Sequence, residues 1–473
     1  MNNSEKLELL IQNREQLDSS KNPVRYQLDL FFDEGSFVEL GGFFSDQNES
    51  SAGVITGYGS INQRLVYAYA QDLYAMGGAF GKLQCEKICK LYDTALSTGA
   101  PIISIINSGG IRAEEGVAAL VSFGKILEKI AQSKGIIPQI TVIAGSCAGA
   151  QSLSSAGSDF TFMVEEGTEY SLNTPESVQL ATGNVLDASC YSNASHSGIV
   201  DFLCADLTEC ARKVGELLNS LPMNYLDRPI DSQNDDDFNR LSSELDSIIP
   251  DDYKQEINVL GIIESIIDNG SLFQIGKDFA MNSIVGFAHL GGHSVGIVAN
   301  NGEMDINACR KINRFVNICN QFNIPLISFI DAIGFNPSID EEYNGVARTS
   351  AELAISYSLA KVPKISVILR KAYGCAYLVM GGKFTGVDIA FAWSTAEFAL
   401  VSPDEAINKL YSHVIHAAAN PDEARQKLQE EYRESFCSPY TGAENGQVDD
   451  IILPNTTRPR LISALEMLAS KKG

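Results

Sequence analysis

Basic residues are in short supply. The 473-residue chain has 35 Lys and Arg against 59 Asp and Glu, for a formal charge of −24. A chain so acidic cannot neutralise phosphates along a duplex, so nucleic-acid binding is excluded as its main activity. No apolar stretch runs uninterrupted for the ~18–20 residues that a membrane span needs. The start, Met1-Asn2-Asn3-Ser4-Glu5, lacks the basic-then-apolar pattern of a secretory signal. There is one Trp, no Cys-x2-Cys pair and no Gly-x-Gly-x-x-Gly. The missing pair argues against a zinc ribbon, and the missing glycine pattern against two copies of a Rossmann-type domain. Ten cysteines are scattered without framework spacing, as expected of free thiols in a reducing cytosol.

What the chain does contain is itself, twice. Phe32-Asp33-Glu34-Gly35-Ser36 returns as Ile267-Asp268-Asn269-Gly270-Ser271. Pro101-Ile102-Ile103-Ser104-Ile105-Ile106-Asn107 returns as Pro325-Leu326-Ile327-Ser328-Phe329-Ile330-Asp331. Pro138-Gln139-Ile140-Thr141-Val142-Ile143 returns as Pro363-Lys364-Ile365-Ser366-Val367-Ile368, and Thr174-Pro175-Glu176 as Ser402-Pro403-Asp404. Matches in one order at shifts of about 224–235 residues read as two homologous halves, expected at 1–230 and 240–473. The acidic run Asp231–Asp237 between them has the composition of a solvated linker. The repeated Ile- and Val-rich runs, bounded by Pro or Gly, suit buried parallel strands. Helical patterns over Lys82–Leu96, Glu114–Gln132, Ala308–Gln321 and Ser350–Ala360 complete an α/β alternation.

Few residue clusters suggest chemistry by themselves. No Ser–His–Asp order and no paired carboxylates emerge. His289 and His293, or His413 and His416, have no third ligand nearby in sequence, so no metal site is expected. Cys375 has no His in a recognisable dyad. Gly109-Gly110 reads equally as an anion-binding nest or a tight turn. Arg112 is expected to pair with Glu115 or to hold the turn, and Tyr67, Tyr69 and Tyr74 to fill core or interface.

Several longer runs are more specific. They are Tyr69-Ala70-Gln71-Asp72 with Gly77-Gly78, Ser108-Gly109-Gly110-Ile111-Arg112-Ala113-Glu114-Glu115-Gly116, Arg370-Lys371-Ala372-Tyr373-Gly374-Cys375-Ala376-Tyr377, and Val448-Asp449-Asp450-Ile451-Ile452-Leu453-Pro454. With Phe32–Gly41 they make the chain, from Phe32 to Leu468, resemble the carboxyltransferase (beta type) subunits of biotin-dependent acyl-CoA carboxylases. That family includes the alpha subunits of methylmalonyl-CoA and glutaconyl-CoA decarboxylases. The resemblance implies two tandem crotonase-like β/α superhelical domains, packed across a dimer within a homo-hexamer (a trimer of dimers).

It also implies a carboxyl group moving between biotin, on a separate biotin carboxyl carrier protein, and the α-carbon of a short acyl-CoA. Enolate and biotin oxyanions would be held by backbone amides, with biotin as the base. By family correspondence Gly149 and Ala150 form one oxyanion hole, Cys375 and Ala376 the other. Gly109, Gly110, Gly374 and Leu378 are assigned to substrate binding, and no metal is called for. Biotin carboxylase or a membrane decarboxylase subunit is a further expected partner, since no Met-Lys-Met biotin-acceptor motif and no ATP-binding pattern is seen.

Departures from the family pattern are specific. The basic, glycine-rich N-terminal stretch that helps hold coenzyme A is reduced to Lys21-Asn22-Pro23-Val24-Arg25. Ala150 and Cys375 stand where relatives have Gly, and Leu378 where propionyl-specific relatives often have Asp. A sodium-pumping decarboxylase alpha subunit is therefore the nearest alternative. A crotonase-type hydratase or hydrolase, or a non-catalytic assembly subunit, is more distant.

Overall fold

The computed structural model describes residues 2–19, 23–44, 52–232, 236–253 and 255–471. It divides into two compact units, Met1–Leu226 and Asp227–Gly473.

Unit 1 carries β1 (Val38–Leu40), β2 (Val54–Ile61), β3 (Arg64–Gln71), β4 (Ile102–Ser108), β5 (Gln139–Ala148), β6 (Phe160–Val164), β7 (Glu169–Ser171) and β8 (Phe202–Cys204). Their order is β1-β2-β3-β4-β5-β6-β8, with β7 on the far end of β5. Unit 2 repeats the plan with β9 (Phe273–Ile275), β10 (Ser283–Leu290), β11 (His293–Asn300), β12 (Gly302–Met304), β13 (Leu326–Phe335), β14 (Lys364–Tyr373), β15 (Ile389–Trp393), β16 (Glu397–Ala399) and β17 (Asp450–Ile452). Here the order is β17-β15-β14-β13-β11-β10-β9, with β16 on β14 and β12 on β13. In both units the first three strands pair antiparallel and the strands carrying the repeated Ile/Val runs pair parallel. Both faces of those strands are covered, which explains why every residue of Ile102–Ile105 is buried. The architecture is the α/β, two-sheet arrangement implied by the repeat.

The shortest repeated motif has a mechanical role. Asp33 accepts the N–H groups of Asn62 (3.1 Å) and Gln63 (3.0 Å), the two residues that turn β2 into β3. Both have positive φ, 50° and 63°, a conformation that side chains other than Gly rarely adopt. Asp268 does the same for Gly291 (2.9 Å) and Gly292 (2.8 Å) between β10 and β11. Ser36 and Ser271 add matching hydroxyl contacts to Ser60 N–H and His289 N–H, each at 3.1 Å.

The described residues of the acidic run, on either side of 233–235, are tied into the fold of unit 2. Ser232 N–H bonds Gly292 O at 2.7 Å, and Asp236 pairs with Arg240 at 2.9 Å and with Arg458 at 3.5 Å. Arg458 is fully buried and also meets Asp268 at 2.7 Å, so Asp236 is drawn in as one of its two counter-charges. The division between units accordingly falls at Leu226–Asp227, ahead of the acidic stretch. Asp235, like Lys21 and Asn22, lies outside the described residues.

Asp268→Ala strips Arg458 of its nearer carboxylate and should cost about 3 kcal/mol of unit 2 stability, whereas Asp33→Ala, which loses exposed turn hydrogen bonds and strands no buried cation, should cost about 1. Denaturant melts of the two variants test this; equal losses would contradict it.

Candidate functional site

Each unit builds one strand-to-helix turn by the same device. Between β4 and β5 the register runs Ile102↔Gln139 to Ile106↔Ile143, then jumps to Ser108↔Cys147. Two surplus residues therefore sit on β5. Its end stays paired with β4 at Cys147 and, on the other edge, passes from β6 to β7, Ser146↔Glu169 to Ala148↔Ser171. The chain then reverses at Gly149 (φ 64°, ψ −133°) into the helix Ala150–Gly157. In unit 2 the jump is from Ile330↔Ile368 to Ala332↔Ala372, and β14 goes on to pair with β16. Gly374 (φ 53°) then opens the helix Gly374–Val379. The two glycines differ in surroundings. A Cβ on Gly149 would meet nothing within 4 Å, but one on Gly374 would lie 2.9 Å from Leu400 O. Glycine is thus required twice over at 374, by φ and by space.

First-turn amides of a helix have no intrahelical acceptor, and they carry the positive end of its dipole. In unit 2 these include Cys375 and Ala376. The Cys375 side chain is exposed and Leu378, on the same helical face, is 42% exposed. Ala376 turns its methyl inward and is 1% exposed. Beside it Tyr377 packs edge-on against Phe398, with centroids 5.6 Å apart. Tyr373, the last residue of β14, donates its hydroxyl to Glu397 of β16, which is within 3.7 Å of Arg433. Burial, reinforced by that carboxylate, pushes the Tyr373 phenol well above its ordinary pKa, so it stays a proton donor.

The unit 1 turn departs from expectation at one donor. The N–H of Gly149 is committed to Ser171 O at 3.1 Å. Gly149 therefore supplies the backbone reversal, and the first-turn amides are those of Ala150 and Gln151. The repeat contains this answer: Gly149 matches Gly374 at a shift of 225, so Ala150 matches Cys375 and Gln151 matches Ala376. Gln151, a buried Gln, does not read from the sequence as part of a small-residue turn. It is 1% exposed and bonds Ser154 Oγ at 2.8 Å through Nε2.

Gly109 and Gly110 follow Ser108, the residue paired with Cys147, so they lie one strand over from this turn. Gly109 N–H bonds Gly77 O at 2.9 Å and Gly110 N–H bonds Ser108 Oγ at 3.1 Å. With both amides used internally, the pair fits the tight-turn reading and not the nest. Arg112 is buried, faces Glu115 at 3.6 Å and bonds Ala79 O at 3.2 Å; Glu115 in turn accepts Lys82 N–H at 2.7 Å. Those contacts fasten the loop. Tyr67 and Tyr69 are core residues, but Tyr74 is 78% exposed. Arg25 is held in an ion pair with Glu39.

All ten cysteines are free, and eight of them are buried. Burial pushes the Cys147 thiol up to about 12, which leaves it inert at neutral pH. A short iodoacetamide pulse on the native protein should therefore label Cys375 ahead of the other nine. Peptide mapping that found Cys147 or Cys190 labelled first would contradict the geometry.

Residues 15–473 match the carboxyl transferase domain family. The chain is 40% identical to the propionyl-CoA carboxylase carboxyltransferase subunit of Haloferax mediterranei, covering 97% of this chain and 92% of that protein. It is 37% identical to the methylmalonyl-CoA decarboxylase alpha subunit of Propionigenium modestum, covering 96% and 91%. Among solved structures it resembles transcarboxylase 12S, a hexamer described with methylmalonyl-coenzyme A bound. The TM-score there is 0.94 at 35% identity, over 100% of this chain and 96% of that one.

Proposed function

Because the chain belongs to the carboxyl transferase family, we propose that it moves a carboxyl group between biotin, on a separate carrier protein, and the α-carbon of a short acyl-CoA. One observation carries the residue-level reading: the same strand excess and positive-φ glycine leading into a helix occur in both units, at Gly149 and at Gly374. Two turns of this kind suit a reaction in which negative charge develops on two oxygens. Ala150 and Gln151 serve one, Cys375 and Ala376 the other. Loss of the α-proton leaves an enolate whose charge gathers on the thioester oxygen, and amides fixed beforehand stabilise it without reorganising. Biotin supplies the carboxyl group and the base when its carrier docks. Cβ atoms at Ala150 and Cys375 keep the N–H donors while narrowing the approach. The exposed face of Cys375 and Leu378 would meet the acyl group, and Leu378, apolar where propionyl-specific relatives often have Asp, favours an apolar contact.

The alpha subunit of a sodium-pumping decarboxylase is the second reading, supported by Leu378 and by near-equal similarity to relatives of both kinds. The two share one active site run in opposite directions. Carboxylation would add biotin carboxylase as a partner, decarboxylation a membrane subunit. Among the described residues no helix is long and apolar enough to cross a membrane. We place the chain in the cytoplasm, meeting a membrane only through such a partner.

We also assign it a homo-hexamer built from dimers, in keeping with the hexamer of transcarboxylase 12S. The exposed Val117, Leu120 and Val121, one apolar stripe on the helix Val117–Ser133, support self-association. Light scattering at micromolar concentration should find the oligomer; a monodisperse monomer would refute this assignment.

Carboxyl exchange between biotin and a panel of acyl-CoAs tests the activity. Ala376→Pro deletes one donor and should lower the rate by roughly two to three decades. Cys375→Gly keeps an N–H at its position and should leave exchange intact. If Cys375→Gly abolishes exchange while Ala376→Pro spares it, a thiol and not an amide does the chemistry.

A further inference from the structure

We propose that Asn107 in unit 1, and Asp331 with Arg370 in unit 2, are positioning residues that set the two amide turns. This rests on the amide reading of those turns. A strand with surplus residues leaves N–H groups that the neighbouring strand's backbone cannot take up. At each bulge one side chain steps in. Asn107 Oδ1 accepts Ser146 N–H at 3.2 Å, and Asp331 Oδ1 accepts Lys371 N–H at 2.9 Å. Ser146 lies four residues before Ala150, and Lys371 four before Cys375. The pinned atom therefore sits at the same distance along the chain from each set of donors.

Each pin is anchored from behind. Asn107 N–H bonds Gln71 Oε1 at 3.1 Å, and Gln71 Nε2 bonds Gly78 O at 3.1 Å. Asp331 N–H bonds Asn300 Oδ1 at 3.0 Å, while Asn300 Nδ2 returns to Asp331 O at 2.7 Å. Gln71 ends β3 and Asn300 ends β11, so in both units a polar chain crosses three neighbouring strands to reach the turn.

The two units reach the same acceptor by different chemistry. In unit 2 it is charged: Arg370 Nε and Nη2 meet Asp331 Oδ1 and Oδ2 at 3.2 and 2.8 Å, both side chains nearly inaccessible. Arg370 also donates to Gln255 O at 2.7 Å. In unit 1 the matching position is Gly145, and a Cβ there would lie 2.1 Å from Asn107 Oδ1. Asn with Gly, and Asp with Arg, are thus two solutions to one packing problem. The molecule supplies its own conservative swap.

The test measures kcat and KM in biotin-dependent acyl-CoA carboxyl exchange, with thermal melts alongside. Asp331→Ala and Asn107→Ala should each lower kcat about 100-fold, the cost of a turn displaced by about 1 Å, with KM for acyl-CoA changed by no more than about threefold. Asp331→Asn with Arg370→Gly, which transplants the unit 1 solution, should recover kcat to within about tenfold of the parent. Melting temperatures that fall while kcat holds would reduce the contacts to structural ones and overturn the inference. So would a folded double variant as slow as Asp331→Ala. Should the alanine variants fail to fold, the double variant decides alone, and Gly145→Ala, which displaces Asn107 Oδ1 without removing it, should lower kcat in the same direction. If instead Ala376→Pro retains full exchange, the amide reading itself falls; that result is distinct from any failure of the pins.

Discussion

While β4 advances from Ile106 to Ser108, β5 advances from Ile143 to Cys147. That mismatch of two residues, repeated between β13 and β14, is the constraint on which both turns depend. In-register strands would set Ser108 against Gly145 and Ala332 against Arg370; the surplus sets them against Cys147 and Ala372 instead. The ladder to β4 or β13 is kept across the surplus, while on its other edge each strand passes to a second short partner, β7 or β16, before its last residues reach the reversal. Donors placed this way belong to rigid sheet structure rather than to a loose loop, which suits amides that must be in place before charge develops.

Charge is distributed around this constraint with economy. Two buried arginines of unit 2 are paired in specific ways: Arg458 by Asp236 and Asp268, Arg370 by Asp331. A removed partner would leave an uncompensated ion in low dielectric, so each pairing ties distant stretches of chain into one folding unit. Unit 1 answers the matching problem at Asn107 and Gly145 without ions. The halves kept the geometry of their common pattern while diverging in how they hold it.

Much of this was legible in the residues themselves. Ile- and Val-rich runs edged by Pro placed the parallel strands, since only strands buried on both faces read that way. Aligning Gly149 with Gly374 identified the two reversals. What stayed hidden depended on partners far away in the chain. The acidic run around Asp236 has the composition of a linker, and nothing local announces the buried Arg458. Gly109-Gly110 could have been a nest, because a sequence does not say that Gly77 O and Ser108 Oγ will take both N–H groups. Gln151 escaped because what it presents in the first turn of its helix is a backbone amide, to which the side chain gives no clue.

The Arg458 cluster bears on the order in which the protein comes into being. Arg458 reaches back to Asp236 and Asp268, and Thr457 beside it receives the indole N–H of Trp393 at 2.9 Å. On the ribosome those acidic groups emerge some two hundred residues before their cation does. Unit 1 can close while the second half is still being made, in the usual N-terminal-first order. Unit 2 must wait with its counter-charges solvated, and it becomes a closed unit only when the segment around Arg458 has left the exit tunnel.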